Sequence, residues 1–139
     1  MRAFEVEESN VKEFMQHLFA HDTFNDFEVR GIVLSSFTYF EVSGESVNGG
    51  YCSWEELRPY VRFILKGQDK PRLMKVVFAK ARPEEFNDNA AALFINLVYE
   101  DGKVLCTAAC SQRNFELSKA MDVEWDAWVE GFFREKGIG

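Results

Sequence analysis

The sequence predicts an α+β fold: one antiparallel sheet of about six strands, with three helices covering one of its faces. Three observations predict it. Two β-rich runs, residues 91–100 and 103–110, flank Asp101-Gly102, the dipeptide favoured by a two-residue type I′ hairpin. Three other segments carry apolar residues at helical spacing along one side only, so each has a single face to bury. The resulting order, β-α-β-β-α-β-β-β-α, places strands in successive hairpins and implies antiparallel pairing. With 139 residues and no internal repeat or composition boundary, the chain is expected to form one domain over residues 1–139.

In chain order, residues 3–6 suit a short first strand. Asn10, with Glu13 three positions later, predicts a capping box for an amphipathic helix over 11–21. Val11, Phe14, Met15, Leu18 and Phe19 would form its apolar side. Asp22 to Asp26 reads as a turn. Phe27 to Val42, rich in Val, Ile, Phe, Tyr and Thr, reads as two strands broken near Ser35-Ser36. Gly44 to Gly50 is a loop. Ser53-Trp54-Glu55-Glu56 is a second capping box, opening a helix that runs to about Lys66 and stops at Gly67. Leu73 to Ala79 is a strand entered after Pro71. Across the Asp101-Gly102 hairpin, Tyr99 should face Val104, Leu97 Cys106, Ile95 Ala108 and Leu93 Cys110. Asp122 is expected to cap a last helix whose Trp125, Trp128, Val129, Phe132 and Phe133 make an aromatic stripe.

Bulk composition narrows the function classes. Apolar residues make up 47% of the chain and only 3 residues are Pro, which excludes a disordered or low-complexity protein. The first eight residues turn acidic early and lack the apolar run of a secretory leader, and no stretch approaches a membrane span. A soluble, cytoplasmic protein is expected. Its 3 cysteines fit a reducing compartment. On one strand Cys106 and Cys110 would stand about 13 Å apart, too far for a disulfide. A net charge of −7 disfavours nucleic acid as a partner.

The charge is unevenly distributed. Between residues 58 and 82 lie eight basic residues and one acid, Asp69, whereas the rest of the chain carries 8 basic and 22 acidic groups. Arg58, Arg62 and Lys66 recur at every fourth position and predict a stripe on the second helix; Lys70, Arg72 and Lys75 continue it. Such a surface would grip a phosphate-bearing ligand or an acidic protein, with Arg donating in bidentate fashion. A homodimer joined basic face to acidic face is a third use, and a solvated helix face is the bland one. His17 and His21, four apart on the first helix, have the spacing of a metal-binding pair, although no third histidine exists and His-Glu-x-x-His is absent. Cys52 precedes a helix N-terminus, which favours a thiolate, but Glu55 and Glu56 oppose it. Cys106 and Cys110 read as small core residues. The Gly44–Gly50 loop contains neither Gly-Lys-Ser/Thr nor Gly-x-Gly-x-x-Gly, so no nucleotide cofactor is expected.

Asp22-Thr23-Phe24 with Phe27, then Trp54, Leu57-Arg58-Pro59, Lys66-Gly67 and Lys70-Pro71, together resemble a small family of proteins of unknown function found chiefly in clostridia and related Firmicutes. The resemblance spans nearly the whole chain, and Leu57 to Gly67 is its most specific part. It implies a bacterial, cytosolic, one-domain protein and supplies no activity, cofactor or catalytic residue.

With no catalytic set in the sequence, the expected class is a non-enzymatic binding domain acting through residues 58–75. The alternative is a carrier or small enzyme with an aromatic-lined apolar cavity between the sheet and the C-terminal helix, with Trp54, Trp125 and Trp128 as natural lining.

Overall fold

Asp101 and Gly102 both adopt left-handed φ, 52° and 76°, in the computed structural model, which describes residues 1–65 and 71–138. That pair of angles is the type I′ turn, and it closes the hairpin of β5 (Ala90–Glu100) and β6 (Lys103–Gln112). The register follows: Tyr99 faces Val104, Leu97 Cys106, Ile95 Ala108 and Leu93 Cys110. The other strands are β1 (Arg2–Glu5), β2 (Glu28–Ser35), β3 (Tyr39–Ser43) and β4 (Leu73–Ala79). They complete a six-stranded, wholly antiparallel sheet in the order β1-β6-β5-β4-β2-β3. The helices are α1 (Val11–Phe19), α2 (Trp54–Leu65) and α3 (Ala120–Lys136), so the predicted element order is the observed one. None of them is long and apolar enough to cross a membrane.

Alternation along the strands assigns the two faces. Ile32 and Leu34, Met74, Val76 and Phe78, Ile95 and Leu97, and Val104 and Cys106 are buried on one side. They share one hydrophobic cluster with Phe14 and Leu18 of α1, Trp54 and Val61 of α2, and Trp125, Val129 and Phe133 of α3. All three helices therefore cover the same face. The opposite face, which carries Val33, Lys75, Val98 and Leu105 in one row across the strands, has no helix over it among the described residues.

Indole N–H groups tie the layers together. Trp54 Nε1 donates to the Leu18 carbonyl at 2.7 Å, fastening α2 to α1, and Trp125 Nε1 donates to the Phe94 carbonyl at 2.9 Å, fastening α3 to β5. Both rings are fully buried, where an indole N–H without an acceptor would cost roughly 1–3 kcal/mol.

The expected caps are only partly realised. Ser53 and Glu56 form the predicted capping box, with Glu56 N donating to Ser53 Oγ at 3.2 Å and Ser53 N to Glu56 Oε1 at 3.0 Å. Asn10 makes no side-chain cap; a 3₁₀ turn over Glu8–Asn10 runs straight into α1, so backbone carbonyls take the role given to the side chain. Helix α1 also ends at Phe19, two residues before the expected limit. Asp122 is not the cap of α3, because the helix starts earlier, at Ala120. The predicted stop of α2 at Gly67 lies outside the described residues.

Candidate functional site

Helix α1 presents two apolar rows. Phe14 and Leu18 point into the core, while Val11, Met15 and Phe19, at every fourth position, stay half-buried beside them. That second row forms one wall of a cleft of about 850 Å³. Leu65 at the end of α2 and Pro71 ahead of β4 close the sides, and Tyr99 with Gly102 of the β5–β6 hairpin forms the end. Lys12, Arg62 and Glu8 supply its charged groups. Tyr99 is only 4% exposed, so it backs the recess as part of the core.

The predicted basic stripe is divided. Arg58 and Arg62 do stand together, one turn apart on α2, and both reach the C-terminal end of α1. Arg58 Nη1 donates to the His21 carbonyl, and Arg62 Nη1 to the Phe19 carbonyl at 3.4 Å. The Phe19 carbonyl belongs to the unsatisfied, negative end of α1 and the His21 carbonyl lies just past it, which accounts for the arginine spacing without an external anion. A guanidinium carries five N–H donors, so each contact leaves others available. Arg62, exposed at the cleft, is placed to use them. Arg72 is exposed at the entry to β4, with its backbone N–H on the Ser35 carbonyl at 2.8 Å. Lys75 faces the other way: it pairs with Val33 and Val98 on the uncovered side of the sheet, so the sheet separates it from Arg58 and Arg62. Lys66 and Lys70 lie outside the described residues.

His17 and His21 approach to 5.0 Å between ring centroids. His17 Nδ1 already shares a 2.7 Å hydrogen bond with Thr23 Oγ1. Burial pushes the His17 pKa down, helped by His21 and Lys136 and opposed by Glu13. No group of three potential metal-ligating side chains forms among the described residues.

Beneath α3, where an aromatic cavity was the alternative expectation, Trp125, Trp128 and Phe132 stack in one column, at 5.0 Å and then 5.4 Å between centroids. Trp125 is fully buried. The 850 Å³ cleft lies beside α1 and α2, and a smaller one, of about 610 Å³, includes Trp128 and Phe132 in its lining.

The three thiols are free, and Cys52 is half-buried. Cys106 is a core residue, as expected. Cys110 is only half-buried and donates to Asp122 Oδ1 at 2.8 Å, a polar role that the sequence reading did not assign. Burial pushes the Cys106 thiol up to about 12; burial and then the Asp122 carboxylate do the same for Cys110. A raised thiol pKa leaves little thiolate, so neither sulfur is poised as a nucleophile. In the folded protein at pH 8, iodoacetamide should therefore leave both unmodified, and guanidinium should expose both. Rapid alkylation of either, located by peptide mass spectrometry, would contradict this.

A family model matches residues 12–139, from the first turn of α1 through the end of α3. The chain belongs to DUF5721, a family of unknown function. Comparison with curated proteins and with solved structures returns no match. For this DUF5721 protein, the geometry of the chain is therefore what carries any functional reading.

Proposed function

We propose that this DUF5721 protein is a non-enzymatic binding domain for a small amphipathic acid. The apolar body of the ligand occupies the α1–α2 cleft and its carboxylate or phosphate meets Arg62 and Lys12. The observation that carries this is the cleft itself. It is about 850 Å³, within the range of ligand sites, with an apolar wall, two cations against one acid, Glu8, and the Tyr99 ring at its end. A charge-assisted hydrogen bond from Arg62 would supply about 1.5–3 kcal/mol of affinity. The setting proposed is the cytoplasm of a clostridial or related Firmicute bacterium, on the family resemblance and the acidic, cysteine-poor composition.

The test uses 8-anilino-1-naphthalenesulfonate and decanoate as probes, with decanol as the headless comparator. Wild type should bind decanoate at least about tenfold more tightly than decanol, and Arg62→Ala should lose about tenfold for decanoate only. Lys75→Ala, on the far face of the sheet, should change nothing. Equal affinities of wild type and Arg62→Ala for decanoate would sink the reading.

An acidic protein, or a second copy of this chain, is a second reading with one specific support. Tyr60 and Phe63 of α2 are 70% and 75% exposed beside Arg62, and aromatic residues mixed with arginine are typical of protein interfaces.

A further inference from the structure

A second cleft, of about 610 Å³, opens where three segments meet: the turn ahead of β2, the stretch just after β4, and the last turns of α3. Its charges come in two blocks. Asp22 and Asp26 stand on the turn, Lys80 and Arg82 on the stretch after β4, while α3 adds one of each sign, Glu135 and Lys136. The lining is thus electrically balanced in a protein of net charge −7. Opposite charges lining one cleft can form ion pairs. Here, among the described residues, the only such pair is Arg82 Nε with Glu85 at 3.4 Å, outside the lining; neither Asp22 nor Asp26 has a cation within 4.0 Å.

The fold holds the two blocks apart. On the acidic side, Asn25 N donates to the Asp22 carbonyl and Phe27 N to the Phe24 carbonyl, which fixes a tight turn. On the basic side, Lys80 N donates to the Leu93 carbonyl, and its ammonium lies 5.3 Å from the Trp128 ring. Arg82 sits at φ 53° in the left-handed region, an unfavourable conformation for a side-chain-bearing residue and one enriched at functional sites. Between the blocks lie Phe27, Trp128 and Phe132. Trp128 stacks with Trp125 and Phe132 and also has the Lys80 ammonium over its ring, so this part of the cleft is aromatic.

We propose that this cleft binds a free α-amino acid with an apolar side chain, its carboxylate at Lys80 and Arg82, its ammonium at Asp22 and Asp26, and its side chain against the aromatic residues between them. An anion alone would be repelled by the two aspartates, and a cation alone by Lys80 and Arg82. Only a ligand carrying both charges, with no net charge, satisfies both blocks. The inference does not depend on the α1–α2 cleft.

Calorimetric titration of the full chain with L-leucine and L-phenylalanine tests it, against leucinamide, which lacks the carboxylate, and N-acetyl-L-leucine, which lacks the ammonium. One of the two amino acids should saturate at a 1:1 ratio below about 1 mM, and each blocked analogue should bind at least about tenfold more weakly. Arg82→Gly removes the guanidinium while glycine accepts the left-handed backbone; it should weaken the amino acid and leave leucinamide unchanged. Asp26→Asn should weaken the amino acid and leave N-acetyl-L-leucine unchanged. Arg62→Ala, at the other cleft, should leave all four titrations as in wild type. No saturation by either amino acid up to about 10 mM, or blocked analogues that bind as tightly as the free ones, overturns the proposal.

Discussion

Gly44→Ala is expected to remove about 3 kcal/mol of stability and to lower the melting temperature by about 10–15 °C. A Cβ at this position would stand 1.6 Å from the Val29 carbonyl oxygen and 2.5 Å from its carbon, and both are backbone atoms that cannot rotate away. The demand is on space, not on dihedral angle, since Gly44 is not among the glycines with positive φ. Relief would require separating the strands where Gly44 N meets the Arg30 carbonyl at 3.3 Å and Cys52 N meets the Gly44 carbonyl at 2.7 Å. Those bonds, with Val29 N on the Cys52 carbonyl at 2.9 Å, hand the chain from β3 into α2, so the loss would spread to Trp54. Gly131→Ala is the matched control. Nothing lies within 4 Å of a Cβ there, and alanine in a helix interior gains about 0.5–1 kcal/mol over glycine. Thermal melts of the two variants should move in opposite directions. A Gly44→Ala protein that melts with wild type would show that the approach of Gly44 to Val29 is not as close as described.

Gly44 also marks a limit of what sequence reading reaches. Local patterns carried the framework: the Asp-Gly turn with its register, the strand from Leu73 to Ala79, the Ser53–Glu56 box and the one-sided helices all depend on residues near one another in the chain. The close passage of Gly44 against Val29 depends on how two strands cross, and the sequence shows only a glycine in a loop. The same limit divides the basic stripe. Spacing of four placed Arg58 and Arg62 on one edge correctly, because a helix has a fixed pitch. It could not reveal that Lys75, thirteen residues after Arg62, emerges on the far side of the sheet, since that depends on strand parity and on which face the helices choose. Nor does any local signal distinguish Phe14 and Leu18, which enter the core, from Met15 and Phe19, which line the cleft. All four belong to one broad apolar arc, and only the position of α2 decides which of them a ligand could touch.

The ligands proposed for the two clefts differ in charge, and the difference follows from where the clefts sit. The α1–α2 cleft lies beside the negative end of a helix that two arginines already neutralise, so an added anion meets cations in an apolar recess. The second cleft collects both signs from a turn and from the stretch after a strand, where side chains point outward from fixed backbone, and there an anion alone has no advantage. Salt should separate them. Decanoate binding at the first should weaken as ionic strength rises, whereas a zwitterion at the second, with no net charge on ligand or lining, should respond far less.

Phe24→Ala is expected to cost about 3–5 kcal/mol, a large part of the roughly 5–15 kcal/mol that a domain of this size has in total. Phe24 belongs to the short turn between α1 and β2, a segment with no periodicity to mark it as core, yet it is fully buried. Its ring stacks on Phe78 of β4 at 5.0 Å and meets Phe14 of α1 at 6.0 Å, Phe27 at 6.0 Å and Phe132 of α3 at 5.8 Å. One side chain thus joins the sheet to two of the three helices. Truncation would open a cavity ringed by large aromatic groups, which are too stiff to collapse into it, so the cavity penalty adds to the lost transfer energy. Phe24→Leu fills most of that volume and should lose less than half as much. Urea unfolding should show a lower midpoint with an unchanged slope for both variants, in that order of severity. A loss below about 1 kcal/mol for alanine would mean that Phe24 is not the junction between α1, α3 and the sheet.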